Sequence, residues 1–475
     1  MLQSAPESRA AGRGVPIRDS GAIPAAVTAH RFEDEAARIN RLIADIDDLL
    51  NEQVNAILHH SRVKALEAAW RGLKLVVDQA APGRGDVKIK AINVSWKELE
   101  RDAVRAGDFD RSHLFELIYT NEFGMPGGEP FGLLIGAYEL KGRADETDDV
   151  YLLKHLGGIA AAAFCPFIAG AAPEMFGLDS FADMEPVFSL RGIFDTPDHL
   201  RWRQMRRTRD MRFAGLTLPR VLLRPAYQPH TRRRMDSFLF EEEIDSDGNA
   251  LLWGPACFAL GSIMIRRFLE SGWFADIRGA VQDDDGAGMV SFLPTHDFGT
   301  EHHGASRQPP VDMRLNSMQE LELSELGFVP VVALPYTSHL VFNTNPSLHE
   351  PERYDRLAAN QNARLAAMLQ YVMCASRFAH CLKALMRDRI GRVESPEAMR
   401  EKLEAWLSRY TIGNSDASEE FKIAYPLRNA RADVRELPGR PGVLGCTIHL
   451  QPHFQLDDVA ATSFQLVADM TEEAR

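Results

Sequence analysis

From residue 39 onward the chain sets large apolar residues three and four apart: Ile39, Leu42, Ile43, Ile46, Leu49, Leu50, Val54 and Ile57. Asp and Glu fill the opposite face. This period predicts a long helix with one narrow apolar stripe, suited to packing on a single partner helix or within a helical pair. A second helix carries Val63, Leu66, Trp70, Leu73 and Val77, and Pro82, Gly83 and Gly85 close that unit. Residues 1–31 are rich in Ala, Gly, Pro, Ser and Arg and show no period, so a mobile arm is expected there.

Further on, strand-like and helix-like patterns alternate. Residues 87–94 (VKIKAINV) alternate like a half-buried strand, and a helix is predicted from about Trp96 to Tyr119. Residues 131–140 and 165–169 read as buried strands with a helix between them, an order that argues for an α/β layer. Residues 216–223 look extended but contain Pro219, which predicts an edge strand or a bent one. In the last third, Leu365, Met368, Leu369, Val372, Ala375, Ala379, Leu382 and Met386 form one helix face. Ser395 and Pro396 open another helix, as N-cap and first helical residue. Residues 432–436 and 443–451 flank a Pro-Gly-Arg-Pro-Gly turn and predict a hairpin, with Cys446, Ile448 and Leu450 on one face. The fold expected is α/β, or α+β overall. It has a mobile arm (1–31), a helical segment (32–85), a central α/β sheet domain (86–360) and a C-terminal domain of helices plus a β-hairpin (361–475).

The composition of the 475 residues, 45% apolar and 25% charged, is that of a globular protein. A net charge of −13 disfavours nucleic acid and anionic lipid as partners of the whole surface. Five scattered cysteines suit a reducing compartment and not a disulfide framework. The first thirty residues lack an apolar secretory core, and the uncharged stretch 155–173 is broken by Gly157, Gly158, Pro166 and Gly170. A soluble cytoplasmic protein with no membrane insertion is expected.

Three constellations could carry chemistry. His296, Asp297, Glu301, His302 and His303 offer metal-ligand atoms, but their spacing fits no single helix or strand face, and a polar loop explains them as well. Cys374, His380 and Cys381 lie on one helix in positions too far apart, or pointing too differently, to hold one metal, and small core residues are the better reading. Residues 201–212 (RWRQMRRTRDMR) could grip a nucleic-acid backbone, yet acidic residues follow at 241–247 and an ion-paired face fits better. No phosphate-binding loop, dinucleotide fingerprint or nucleophile elbow is present. The residues therefore offer no catalytic centre, metal site or cofactor site; a metal-dependent hydrolase using the 296–303 loop stays as the rival.

Residues 57–75 (ILHHSRVKALEAAWRGLKL) resemble a helix of the large subunit of the type VI secretion contractile sheath, the TssC/VipB family. The family motif falls on Leu66, Glu67, Trp70, Arg71, Gly72 and Leu73. Segments 164–177, 216–227, 251–265, 271–279, 325–331, 376–391 and 426–434 continue the resemblance in the same order, across about 57–456. The resemblance implies a structural protein that pairs with a small sheath subunit of the TssB/VipA type. It implies stacking with copies of itself around an inner tube, on a baseplate, and contraction to propel that tube. It also implies that the stripe Ile39, Leu42, Ile43, Ile46, Leu49 and Leu50 packs on the small subunit. Val434, Cys446, Ile448 and Leu450 would mark strands joining neighbours, with an ordinary intrachain hairpin as the alternative. Trp70, Trp253 and Trp273 are expected to be core anchors. The arm 1–31 is shorter than the helical segment typical of the family and carries Pro6, Pro16 and Pro24, so linkage through it and recycling by a disassembly ATPase are not carried over. A divergent paralogue acting as a non-polymerising adaptor is the second rival.

Overall fold

The computed structural model describes residues 25–80, 87–125, 127–142, 148–184, 189–228, 238, 240–245, 248, 250–274, 276–280, 287–296, 309–335, 337–387, 395–414, 418–436, 444–453 and 464–469. The chain divides into two compact units, Met1–His60 with Tyr227–Glu242, and Ser61–Ala226 with Glu243–Arg475.

In the first unit, α1 (Ala25–Leu58) runs for 34 residues. It begins inside the segment expected to be a mobile arm; the alanines at 25, 26 and 29 favour helix directly after Pro24. At its end, the strongly buried Glu242 carboxylate lies 3.4 Å from His59 Nε2 and accepts the Tyr227 N–H at 2.9 Å.

The second unit opens with α2 (Ser61–Gln79). Residues 87–95 form no strand and are mostly exposed, contrary to their alternation. The alternation there sets Val87 and Ile89 against Lys88 and Lys90, but among the described residues no strand pairs with it and Ile89 and Ile92 stay exposed; the Val94 carbonyl is held by Tyr138 OH at 2.6 Å. Helix α3 (Trp96–Ala106) starts at a capping box of Ser95 and Glu98. The helix predicted to reach Tyr119 stops at Gly107, whose φ of 75° only glycine adopts freely. A separate helical turn and a π-helical stretch, Glu116–Gly124, follow.

The centre of this unit is a parallel sheet. Its elements are β1 (Leu134–Leu140), α4 (Asp149–Ala162), β2 (Phe167–Ala171), β3 (Ala214–Leu218), β4 (Val221–Arg224), β5 (Leu252–Gly254), α5 (Cys257–Ser271), α6 (Ser317–Glu325) and β6 (Phe328–Pro330). Strands β1, β2, β3 and β6 pair in parallel in that order. Alternate residues feed two cores. Phe167, Ala169 and Ala171 pack with Leu152, Leu153 and Leu156 of α4, while Ile168 packs with Leu260 and Ile263 of α5. Such double coverage is what a parallel sheet requires, and each fully buried Leu or Ile contributes about 1.5–3 kcal/mol. The bend at Pro219 ends β3, which is an inner and fully buried strand and not an edge; the chain then turns into β4, which pairs with β5.

The C-terminal part holds α7 (Leu369–Arg387), α8 (Pro396–Leu407), β7 (Leu427–Glu436), β8 (Leu444–Pro452) and β9 (Phe464–Asp469). Ser395 caps α8 by accepting the Ala398 N–H, with Pro396 next to it. Phe378, Leu382, Met399, Leu403, Leu407, Cys446, Ile448 and Leu450 share a third core.

Candidate assembly surfaces

Helix α1 presents Ile39, Leu42, Ile43, Ile46, Leu49, Leu50 and Ile57 to solvent, each between 44% and 61% exposed. Positions 39 and 46 repeat after seven residues, as do 42 and 49, and 43, 50 and 57. That is the register of a helix seam, with the seam uncovered.

Helix α2 has two different faces. Ala68, Gly72 and Val76 are buried against α5, where the Gly72 position meets the Phe258 ring. Small residues face inward because the helix axes lie too close for larger ones. Leu66 and Trp70 face outward at 61% and 65% exposure, and Val77 at 45%. Trp70 is therefore not the core anchor expected from its type. Trp273 is one, buried and stacked 4.2 Å from Phe378, while Trp253 is half-buried and donates to the Gly248 carbonyl at 2.9 Å. Between the two faces of α2, Glu67 accepts Arg71 Nε at 2.6 Å and Arg224 Nε at 2.9 Å through the same oxygen. Leu73 is half-buried. The motif residues thus divide into a close contact (Gly72), an ion-pair hub (Glu67, Arg71) and an exposed apolar face (Leu66, Trp70).

The predicted hairpin is present. β7 and β8 pair antiparallel, with Val434 opposite Cys446 and Ala432 opposite Ile448. β9 adds a third strand on the far side of β8, placing Leu466 opposite Ile448. Cys446, Ile448 and Leu450 are buried in the chain's own core, and Val434 is half-buried. The edges left for another strand are those of β7 and β9; among the described residues β7 has one further bridge, from Leu427 to Thr411.

The three constellations resolve differently. His296 is buried, and Asp297, Glu301, His302 and His303 lie outside the described residues; among the described residues no group of three or more His, Cys, Asp or Glu could hold a metal. Cys374 and His380 are buried, and His380 Nε2 lies 2.9 Å from the Ala163 carbonyl. Burial pushes the His380 imidazole down to about 4 and the Cys374 thiol up to about 12, so both stay neutral at pH 7. Four of the six arginines in the run pair within the chain. Arg201, Arg203 and Arg207 face Asp148, Asp195 and Glu350, and buried Arg206 donates to the Leu348 carbonyl at 3.0 Å. Among the described residues no helix is long and apolar enough to cross a membrane.

Two features had no counterpart in the sequence reading. Lys383 of α7 lies over the rings of Phe123 and Tyr119, at 3.5 and 4.9 Å from their centres, and burial lowers its ammonium to about 8. A cavity also opens where α5, α7 and Tyr410 meet. Helical periodicity marks which side of α7 is apolar; it does not show which aromatic rings arrive from elsewhere in the chain.

Comparison with known proteins follows the order of these elements. Residues 40–349 match the VipB family model, described as EvpB/VC_A0108, tail sheath N-terminal domain. Residues 358–470 match its companion, the tail sheath gpW/gp25-like domain. The type VI secretion system sheath protein TssC1 of Pseudomonas aeruginosa is 34% identical over 441 residues, covering 92% of this chain and 86% of that protein. Among solved structures, the anti-feeding prophage baseplate matches with a TM-score of 0.40 at 10% identity, over 79% of this chain and 82% of its own. The contracted anti-feeding prophage helical sheath matches with a TM-score of 0.36 at 10% identity, over 67% of each chain.

Proposed function

This chain belongs to the VipB family of type VI secretion sheath proteins and is a structural subunit of that sheath; from that premise we propose how its surfaces build the tubule. The seam of α1 receives an amphipathic helix of a small sheath subunit of the TssB/VipA type. Copies of the resulting pair join by strand addition at the edges of the β7–β8–β9 sheet, because backbone hydrogen bonds tether neighbours without fixing their side-chain contacts. A contact of this kind that does not close on itself generates a helical tubule. The tubule encloses an inner tube, stands on a baseplate in the bacterial cytoplasm, and contracts by exchanging one packing of rigid subunits for another. The work is mechanical and uses no catalytic residue or cofactor.

One observation carries this reading: seven large apolar side chains stand uncovered in helix-seam register on a 34-residue helix. Such a surface is costly in water and is explained by a partner helix. Co-expression with a small sheath subunit, followed by electron microscopy, tests it. Hollow tubules are expected; discrete complexes alone would favour the adaptor. Stoichiometric zinc or manganese, lost on changing His302 and His303, would favour the hydrolase.

A further inference from the structure

We propose that, when no small sheath subunit is present, α1 of one copy pairs antiparallel with α1 of a second copy, so that the seam is closed by its own counterpart across a two-fold axis. This goes beyond the sheath reading. It rests on the open seam of α1 and not on what the assembled tubule places there.

The orientation follows from the residues that flank the seam. In heptad terms Ile39 and Ile46 stand at a, and Leu42 and Leu49 at d. The e positions are Ala36, Ile43, Leu50 and Ile57, all apolar and all exposed. The g positions are Arg38, Asp45 and Glu52, all charged and all exposed. In a parallel pair the g residues of one helix lie beside the e residues of the other, which would set these charges against isoleucine and leucine. In an antiparallel pair e meets e and g meets g. The apolar flank then closes on an apolar flank, and the charged flank on a charged one.

The order of charge along g selects a second copy as the occupant. Arg38 stands toward the start of the stripe and Glu52 toward its end, so a two-fold axis beside Asp45 brings Arg38 of each copy to Glu52 of the other. Neither Arg38 nor Glu52 has an ion-pair partner within the chain among the described residues. The same register stacks Ile39 on Leu49 and Leu42 on Ile46, each twice, so every layer between residues 39 and 49 is filled by two large side chains that are exposed in the single chain. One repulsion is built in, because the two Asp45 carboxylates approach each other at the axis. Helix α1 belongs to the first compact unit, so the pairing draws on that unit and not on the cores of the second.

The test uses the full-length chain purified without a small subunit. Sedimentation velocity at about 50 µM is expected to show a dimer that dissociates on dilution. Ile46→Lys changes an exposed position and is expected to leave a monomer with an unaltered circular dichroism spectrum. Arg38→Glu and Glu52→Arg are each expected to weaken the dimer roughly ten-fold, since each turns two attractions into two repulsions, and the double reversal to restore most of the loss. Asp45→Asn should tighten the dimer about three-fold by removing the repulsion at the axis. A monomer at the starting concentration, or a dimer that survives Ile46→Lys, would overturn the contact. Failure of the double reversal to recover pairing would overturn the antiparallel arrangement, because only that arrangement brings residues 38 and 52 together. None of these outcomes involves the small subunit. A dimer lost on Ile46→Lys, beside a small subunit that binds the same variant normally, would uphold this contact and remove α1 as the small subunit's seat.

Discussion

Gly72 of α2 lies against the ring of Phe258 of α5, with no room between them for a side chain. Ala68 and Val76, four residues to either side, complete the buried face. The approach of the two helices is set by the missing Cβ, and an added methyl must displace a ring packed among Leu260 and Ile263. Gly72→Ala is therefore expected to lower the unfolding free energy by about 1–3 kcal/mol, the usual cost of overpacking. Chemical denaturation of the purified chain measures it. Adding Phe258→Leu should recover part of the loss; if the two costs simply add, ring contact is not the reason for glycine here.

Glu67 supplies one oxygen to two arginines, and the Arg224 side chain is only 5% exposed. Removing the carboxylate takes a charged hydrogen-bond acceptor from a buried guanidinium that also donates to the Pro225 carbonyl at 2.9 Å. Glu67→Gln is expected to destabilise the chain by about 1.5–3 kcal/mol, the worth of a hydrogen bond to a charged group. Replacing Glu67 and Arg224 together by Met should cost clearly less. Equal losses in the single and double variants would mean that packing, and not charge, holds this site.

The sequence disclosed the helices and the alternation of the central strands because each buries one regular face. It misled at Trp70, where periodicity marks two apolar faces and cannot say which is inside. The inner one proved to be the small-residue face, since close helix packing selects Ala68 and Gly72 over tryptophan. It misled again at residues 87–95, where alternation alone does not supply a partner strand. The hairpin was readable from its turn and period, but not that β9 would leave Ile448 in a middle strand, because pairing with a distant segment leaves no local mark. The cavity beside Arg377 was equally invisible, being assembled from residues more than a hundred positions apart.

Asp312 and Arg220 bind each other's backbones, with the Arg220 N–H on Asp312 Oδ1 at 3.0 Å and the Asp312 N–H on the Arg220 carbonyl at 3.2 Å. The residue keeps some surface in solvent, but its carboxyl group is enclosed. Burial pushes that carboxyl up to about 7; Arg220 pulls it down, and Glu139 pushes it up. A folded-state value above the unfolded one gives stability that is complete below about pH 4 and is lost as pH rises toward 7. The difference in unfolding free energy between wild type and Asp312→Asn should therefore move in favour of the variant across that window. A flat difference curve would show that the carboxyl is ionised throughout.

His380 acts in the opposite sense. Burial holds its imidazole down to about 4, and its Nε2 lies 2.9 Å from the Ala163 carbonyl. Above about pH 6.5 the ring is neutral whether the chain is folded or not. As pH falls from there toward 4 the unfolded chain takes up a proton that the folded chain refuses, so stability is lost. His380→Gln should remove that slope, on the order of 1–3 kcal/mol over the window. Urea melts at closely spaced pH values from 7 to 4.5 measure it, and an unchanged slope would place the titration elsewhere.

The stripe on α1 separates assembly from folding. Ile46 and Leu49 are 55% and 61% exposed, so replacing both by Lys removes no core contact and should leave the melting temperature of the isolated chain within a degree or two. If these side chains seat a helix of the small subunit, two buried charges in the seam should cut co-purification of that subunit at least ten-fold. The same double change on the opposite face, Ala44→Lys with Asp48→Lys, both exposed, controls for charge alone and should retain binding. Undiminished co-purification with the Ile46 and Leu49 variant would move the small-subunit contact off α1, and the outward face of Leu66 and Trp70 on α2 would then be the surface to test.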